Sequence, residues 1–291
     1  MPSMRLRSAE PARQSGFAEA GVWARPRVDG LGRWLLAGAF IGLGILGLVT
    51  GDFAAVWQRI PIDGMPGQTP LALACGALEL ALGIGLLLRS TLAPTSTVLV
   101  GFLLLWAILL KLPAVIWVPQ MLATWLGLGE ILVILAGAWI LFAANPGPWA
   151  MRRMGVAVGE RGIRHARLLF ALALPTIGLS HFVYSVQTAA LVPPWLPDPV
   201  AWAYLTGAGN LAACVAILFG VMPRLAATLE ALMLAVITVL VWMPGVSASP
   251  TTQFQATGFL ISAAIAAGAW IVADSYRDAP WLSAPRTRVN R

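Results

Sequence analysis

Charge is scarce in this sequence. Of its 291 residues, 11% are charged, less than half the share of about 25% usual in soluble proteins. A soluble domain would also have to hide an apolar content of 59% and a mean hydropathy of +0.81, and no soluble fold of this size has interior enough for that. Cysteine is nearly missing. Cys75 and Cys214 lie inside apolar runs without CxxC spacing, which excludes a disulfide framework and reads both as small packing residues. The two histidines, His165 and His181, fall at opposite ends of one apolar run, about 24 Å apart at 1.5 Å per helical residue. They cannot clamp a haem between them, and neither sits in a cluster suited to zinc or copper. No HExxH, Walker loop, strand-borne GxGxxG or serine elbow occurs, so no self-contained catalytic motif marks an enzyme. The net charge of +7 comes without aromatic–basic interleaving. That argues against nucleic acid as a partner and for anionic lipid headgroups.

What the sequence has in quantity is long apolar runs. A hydrocarbon core about 30 Å thick needs roughly 20 apolar residues per helix. Such runs lie near 34–52, 70–88, 95–112, 122–143, 166–184, 200–220, 224–243 and 256–274, separated by turn-rich stretches such as "IPIDGMPGQTP", "LPAVIWVPQ", "VPPWLPDP" and "MPGVSASP". Eight spans put both termini on one side. With that side inward, 17 of the 19 basic residues fall on inner segments, and only Arg59 and Lys111 lie on or near the outer side. Trp57, Trp117, Trp195 and Trp202 fall in the outer connections, where membrane interfaces hold aromatic anchors. The basic stretch before Trp34 is too long for the head of a secretory signal. The expected organisation is a disordered cytoplasmic tail at 1–32, four helices within 33–145, a basic cytoplasmic linker at 146–164, four helices within 165–275 and a cytoplasmic tail at 276–291. The expected location is the bacterial cytoplasmic (inner) membrane.

The two sets of four helices are related. Shifted by 131 residues, "GALELALGIG" (76–85) falls on "GAGNLAACVA" (207–216), "LPAV" (112–115) on "MPGV" (243–246), "GAWI" (137–140) on "GAWI" (268–271) and Gly127 on Gly258. Each copy has an even number of spans, so both enter the membrane from the same side. The fold class expected is therefore all-α, with eight transmembrane helices forming two parallel-repeat four-helix bundles, left-handed and side by side.

The second copy carries a resemblance. The stretch "GLSHFVYSVQTAALVPPWLPDPVAWAYLTGAGNLAACVAILFG" (178–220) resembles the DoxX family of small four-helix membrane proteins. In that family a helix ending in a His-Phe or similar pair leads through a Pro-rich outer segment into a Gly-containing second helix. The likeness is good over 165–246 and weaker over 34–144, where "VTGDFAAVWQRIPIDGMPGQTP" replaces the histidine and the VPPWLP stretch. It implies a polytopic membrane protein and, for some relatives, association with thiosulfate:quinone oxidoreductases or other redox assemblies. Fold follows from the resemblance more firmly than function.

Polar residues inside the spans mark the places to look. Glu79 lies nine residues in from Pro70, about 13 Å deep, where a carboxylate costs about 2.5–3.5 kcal/mol on insertion scales. Ala72, Gly76 and Gly83 share its helix face, which turns it toward a close-packed neighbour. The 131-residue shift takes it to Asn210, neutral at the same depth. Glu130 and the sole lysine, Lys111, lie in the outer half of the first copy, and Asp52 ends its first helix. His181 corresponds to Asp52 through a slightly shorter shift. Glu230 has no polar mate, its counterpart being Leu99. An economical picture has Lys111 reaching toward Glu79 or Glu130, although a lone lysine also snorkels readily to the surface. Glu79, Glu130, Lys111, Asp52, His181 and Asn210 thus form the candidate ligand-binding or proton-handling set. The expected function is a membrane subunit or small-molecule-binding component of a redox assembly, with a quinone as the cofactor and a soluble or membrane redox protein as partner. The alternatives are a proton-coupled small-solute transporter and a non-catalytic scaffold. Neither haem nor metal is expected.

Overall fold

The computed structural model describes residues 30–54, 57–58, 64, 66–247 and 250–283. Of the expected terminal tails, 1–29 and 284–291 lie outside the described residues. Eight helices among those described are long and apolar enough to cross a membrane, and there is no strand. They are α1 (Leu31–Thr50), α2 (Gln68–Leu87), α3 (Leu92–Trp117), α4 (Leu122–Ala144), α5 (Gly159–Val183), α6 (Pro199–Phe219), α7 (Pro223–Ser247) and α8 (Gln253–Ser275). The chain is a multi-pass α-helical membrane protein.

Two spans run further than their sequences predict. Pro113 and Pro244, read as the ends of apolar runs, lie inside α3 and α7, which continue to Trp117 and Ser247. A proline within a helix offers no N–H to the carbonyl four residues back and collides with it. Both helices answer by widening into a π turn just before the proline, at Ala107–Lys111 and Thr238–Trp242. The linker expected at 146–164 is also shorter than its composition implies. A helical turn occupies Pro148–Arg153, and α5 starts at Gly159.

The starts of α2, α3 and α4 at 68, 92 and 122 recur as the starts of α6, α7 and α8 at 199, 223 and 253, each 131 residues later. The π turns recur at the same spacing. The helices do not, however, close into two separate four-helix bundles. Helix α1 packs on α2 and on α8, whereas α5 packs on α6 and on α4, so the first helix of each half leans on the last helix of the other. Helices α4 and α8 cross at the centre and are the most buried. Consecutive helices form a ring about them.

Small residues set these crossings. A Cβ on Gly137 would stand 2.6 Å from the Gly268 Cα, and one on Gly268 would stand 2.8 Å from the Val133 carbonyl oxygen, so α4 and α8 touch backbone to backbone. Without water in the bilayer core to drive apolar groups together, such close approach supplies the dispersion contact that holds helices. Helices α1 and α2 meet in the same way at Gly44, Gly47 and Gly76, and α5 and α6 at Gly178 and Gly207.

Candidate functional site

Between the halves lies a cavity of about 640 Å³, within the range of about 300–1,000 Å³ typical of ligand sites. It is built from corresponding elements carrying different side chains. The π turn of α3 ends at Lys111 and that of α7 at Trp242, and both residues line the cavity. Each is admitted by a glycine on the neighbouring central helix. Gly127 would place a Cβ 3.6 Å from the Lys111 Nζ, and a Cβ on Gly258 would strike the Trp242 ring. Glu130 lies on the same helix as Gly127, lines the cavity and interacts electrostatically with Lys111. The Lys111 ammonium also stands 5.2 Å from the centroid of the Trp57 ring, a cation–π contact. Lys111 therefore turns inward; it does not snorkel to the bilayer surface.

The second half adds Ser180 and His181 from the end of α5 and Thr257 from α8. His181 Nδ1 lies 2.8 Å from the Ile177 carbonyl, which can only accept, so the ring proton of the neutral form sits on Nδ1 and Nε2 is left as an acceptor. The Thr257 hydroxyl oxygen is buried and has no hydrogen-bond partner in the protein. Apolar walls come from Trp57, Trp242 and Phe254, with the rings of the last two 5.9 Å apart. The arrangement offers hydrogen-bond donors, acceptors and aromatic surface to a molecule with a polar head and an apolar body.

The six residues singled out from sequence do not all meet. Lys111, Glu130 and His181 share the cavity, whereas Glu79, Asp52 and Asn210 do not line it. Glu79 is buried, and its Oε1 accepts from Gln58 Nε2 at 2.5 Å; Gln58 also donates to Cys75 Sγ at 3.6 Å and accepts from the Ala54 backbone N–H at 3.0 Å. The carboxyl thus pairs with a side chain from the α1–α2 connection and not with Lys111. Asp52 accepts from its neighbour's backbone at Phe53 and from the Gln68 side chain, joining the end of α1 to the start of α2. Asn210 is buried on α6, donates to the Thr206 carbonyl one turn back and leaves its own Oδ1 without a partner.

Four residues of consequence were not marked by the sequence reading. Trp242 is found by applying the 131-residue shift to Lys111, and Thr257 precedes Gly258, the mate of Gly127. Trp57 was read as an interfacial anchor, yet it is buried beside Lys111. Gln58 carries no signal, because nothing in a turn-rich connection tells which polar side chain folds back beneath it.

A family model described as a domain of unknown function (DUF8561) matches residues 170–270, from α5 into α8, about a third of the chain. No curated protein and no solved structure matches it.

Proposed function

We propose that the chain is an internally duplicated, DoxX-like protein of the bacterial cytoplasmic membrane, with both termini in the cytoplasm, that binds an amphipathic small molecule between its halves. A quinone head is the occupant that best suits the lining. The duplication is supported by contacts that a pseudo-two-fold axis along the membrane normal requires. On such an axis a position meets its own copy, and Gly137 touches Gly268, 131 residues away. Off the axis contacts come in reciprocal pairs, as α1 on α8 matches α5 on α4.

The observation that carries the functional reading is the convergence of Lys111, Glu130 and His181 on one cavity with aromatic walls. A quinone presents two carbonyl oxygens that need donors, which the Lys111 ammonium and Thr257 hydroxyl supply. Its flat ring suits the surfaces of Trp57 and Trp242. A quinol surrenders protons on oxidation, and Glu130 and His181 Nε2 are acceptors placed to take them. The electrons must come from or go to a redox partner, which makes this chain a membrane subunit and not an enzyme by itself.

A short-tailed ubiquinone analogue titrated into the protein in nanodiscs tests this, with tryptophan fluorescence as the readout because Trp57 and Trp242 face the site. Saturable quenching is expected, with affinity at least tenfold weaker in Lys111→Met and in Glu130→Gln. Quenching that rises linearly with quinone in the membrane, equal in all three proteins, removes the quinone and leaves the cavity without an assigned ligand.

A further inference from the structure

We propose a second ligand site, between α6 and α7, that takes a small lipophilic amine. A cavity of about 280 Å³ opens there, lined by Gly209, Ala213, Ala216, Leu229, Met233 and Glu230 among others. Its volume falls just below the usual range for ligand cavities, so the occupant is small. Every described lining residue is apolar or glycine except Glu230. That side chain is 2% exposed, and its Oε1 has no hydrogen-bond partner in the protein.

A buried carboxyl without a partner is costly, and packing does not demand one at this place. The corresponding residue of the first half is Leu99, fully buried within the apolar core. The second half therefore has a carboxyl where the same helix position elsewhere in the molecule is filled by hydrocarbon. What the apolar walls and lone carboxyl lack is a cation or strong donor on an apolar body, which describes a protonated amine with a short hydrocarbon chain. A lipid headgroup is the wrong source. Glu230 lies seven residues beyond Pro223, about 10 Å along the helix from its start, below the level where headgroup amines reside. Met222, at the first turn of α7, also lines the cavity and holds a left-handed φ of 45° without being glycine, so the rim keeps a backbone conformation that side chains disfavour.

The test uses n-hexylamine, 1-hexanol and hexanoate, each titrated against the full-length protein in phosphatidylcholine nanodiscs, with the unfolding temperature as readout. Wild type should be stabilised saturably by the amine, with an apparent affinity at least tenfold weaker in Glu230→Gln and no saturable response in Glu230→Leu. Hexanol and hexanoate should act equally on all three. Partitioning of the amine into the bilayer is common to the three proteins and cancels in the comparison. An equal response of wild type and Glu230→Gln overturns the proposal, whether or not Glu230→Leu folds. So does loss of the wild-type response when phosphatidylethanolamine replaces part of the lipid, which would assign the site to a headgroup amine. Lys111→Met, which touches only the central cavity, should leave this response unchanged.

Discussion

Where the first half buries Glu79, the second buries Asn210, and the surroundings of the two differ more than the side chains do. Glu79 is met by Gln58, which the α1–α2 connection folds inward. Asn210 is met by its own helix, through the Thr206 carbonyl, and its Oδ1 faces no donor. The close helix crossings beside them are alike, with Gly76 against α1 and Gly207 against α5. Backbone packing is thus repeated while the polar chemistry is not. The same split recurs in the cavity, where matching π turns deliver a cation on one side and an indole on the other. Duplication gives a paired scaffold, and divergence of the side chains makes a two-sided site from it.

The largest effect should come from breaking what the halves share. Gly137→Leu puts a branched side chain where a Cβ alone would stand 2.6 Å from the Gly268 Cα. Neither backbone can yield without parting α4 from α8, and the cost should exceed the roughly 1–3 kcal/mol of ordinary overpacking. We expect no monodisperse protein after solubilisation in mild detergent. Gly101→Leu is the matched control. Nothing lies within 4 Å of a Cβ there, and the corresponding residue of the second half is already leucine, Leu232. It should fold normally with an unchanged unfolding temperature. Equal behaviour of the two variants would show that the central crossing is not what joins the halves.

A middle-sized effect separates Glu79 from Asn210. Glu79→Leu leaves the buried Gln58 amide without its acceptor, which should cost about 1–3 kcal/mol. Glu79→Gln keeps an oxygen for Gln58 and should cost less than about 1 kcal/mol. Asn210→Leu removes an oxygen that has no partner, so it should be near neutral despite the equal burial of the two positions. Unfolding in detergent, with the three variants measured side by side, checks the order. A loss at Asn210→Leu as large as at Glu79→Leu would mean that both residues serve the fold alike.

These contrasts also explain what was legible beforehand. The spans were readable because a bilayer forces about 20 apolar residues on every helix, and the repeat because contacts at the Gly137–Gly268 crossing tolerate no substituent. Pro113 and Pro244 misled, since a proline that ends a helix in water can be absorbed in a membrane by a π turn. Glu79, Glu130 and Lys111 were conspicuous as charges in hydrocarbon, but which of them meet depends on the angle at which helices cross. That angle is set by glycines far from the charges. The pairing of Glu79 with Gln58 was hidden for a further reason, because the partner sits in a connection without periodicity to say which way it points.

The smallest effect concerns how α4 and α8 begin. Helix α8 starts with a capping box, in which Thr252 accepts from the Gln255 backbone and the Gln255 side chain accepts from Thr252. The matching residues of the first half are Met121 and Thr124, and Met121 caps nothing. Instead the Ala123 backbone N–H, near the start of α4, donates to the Tyr184 hydroxyl from the end of α5 at 3.2 Å. One half caps itself and the other is capped by its neighbour. Thr252→Ala should therefore cost about 1 kcal/mol. Met121 already has the extended backbone of a cap residue, with φ −91° and ψ 107°, so Met121→Thr can cap without rearrangement. In the wild-type background its gain should be small, below about 0.5 kcal/mol, because Tyr184 satisfies one donor and the Thr124 N–H already reaches the Met121 carbonyl. After Tyr184→Phe, which frees the Ala123 N–H, the same substitution should gain more. A double-mutant cycle on unfolding free energy measures the difference. A zero coupling would mean that Tyr184 does not cap α4, and that the first half holds its fourth helix by packing alone.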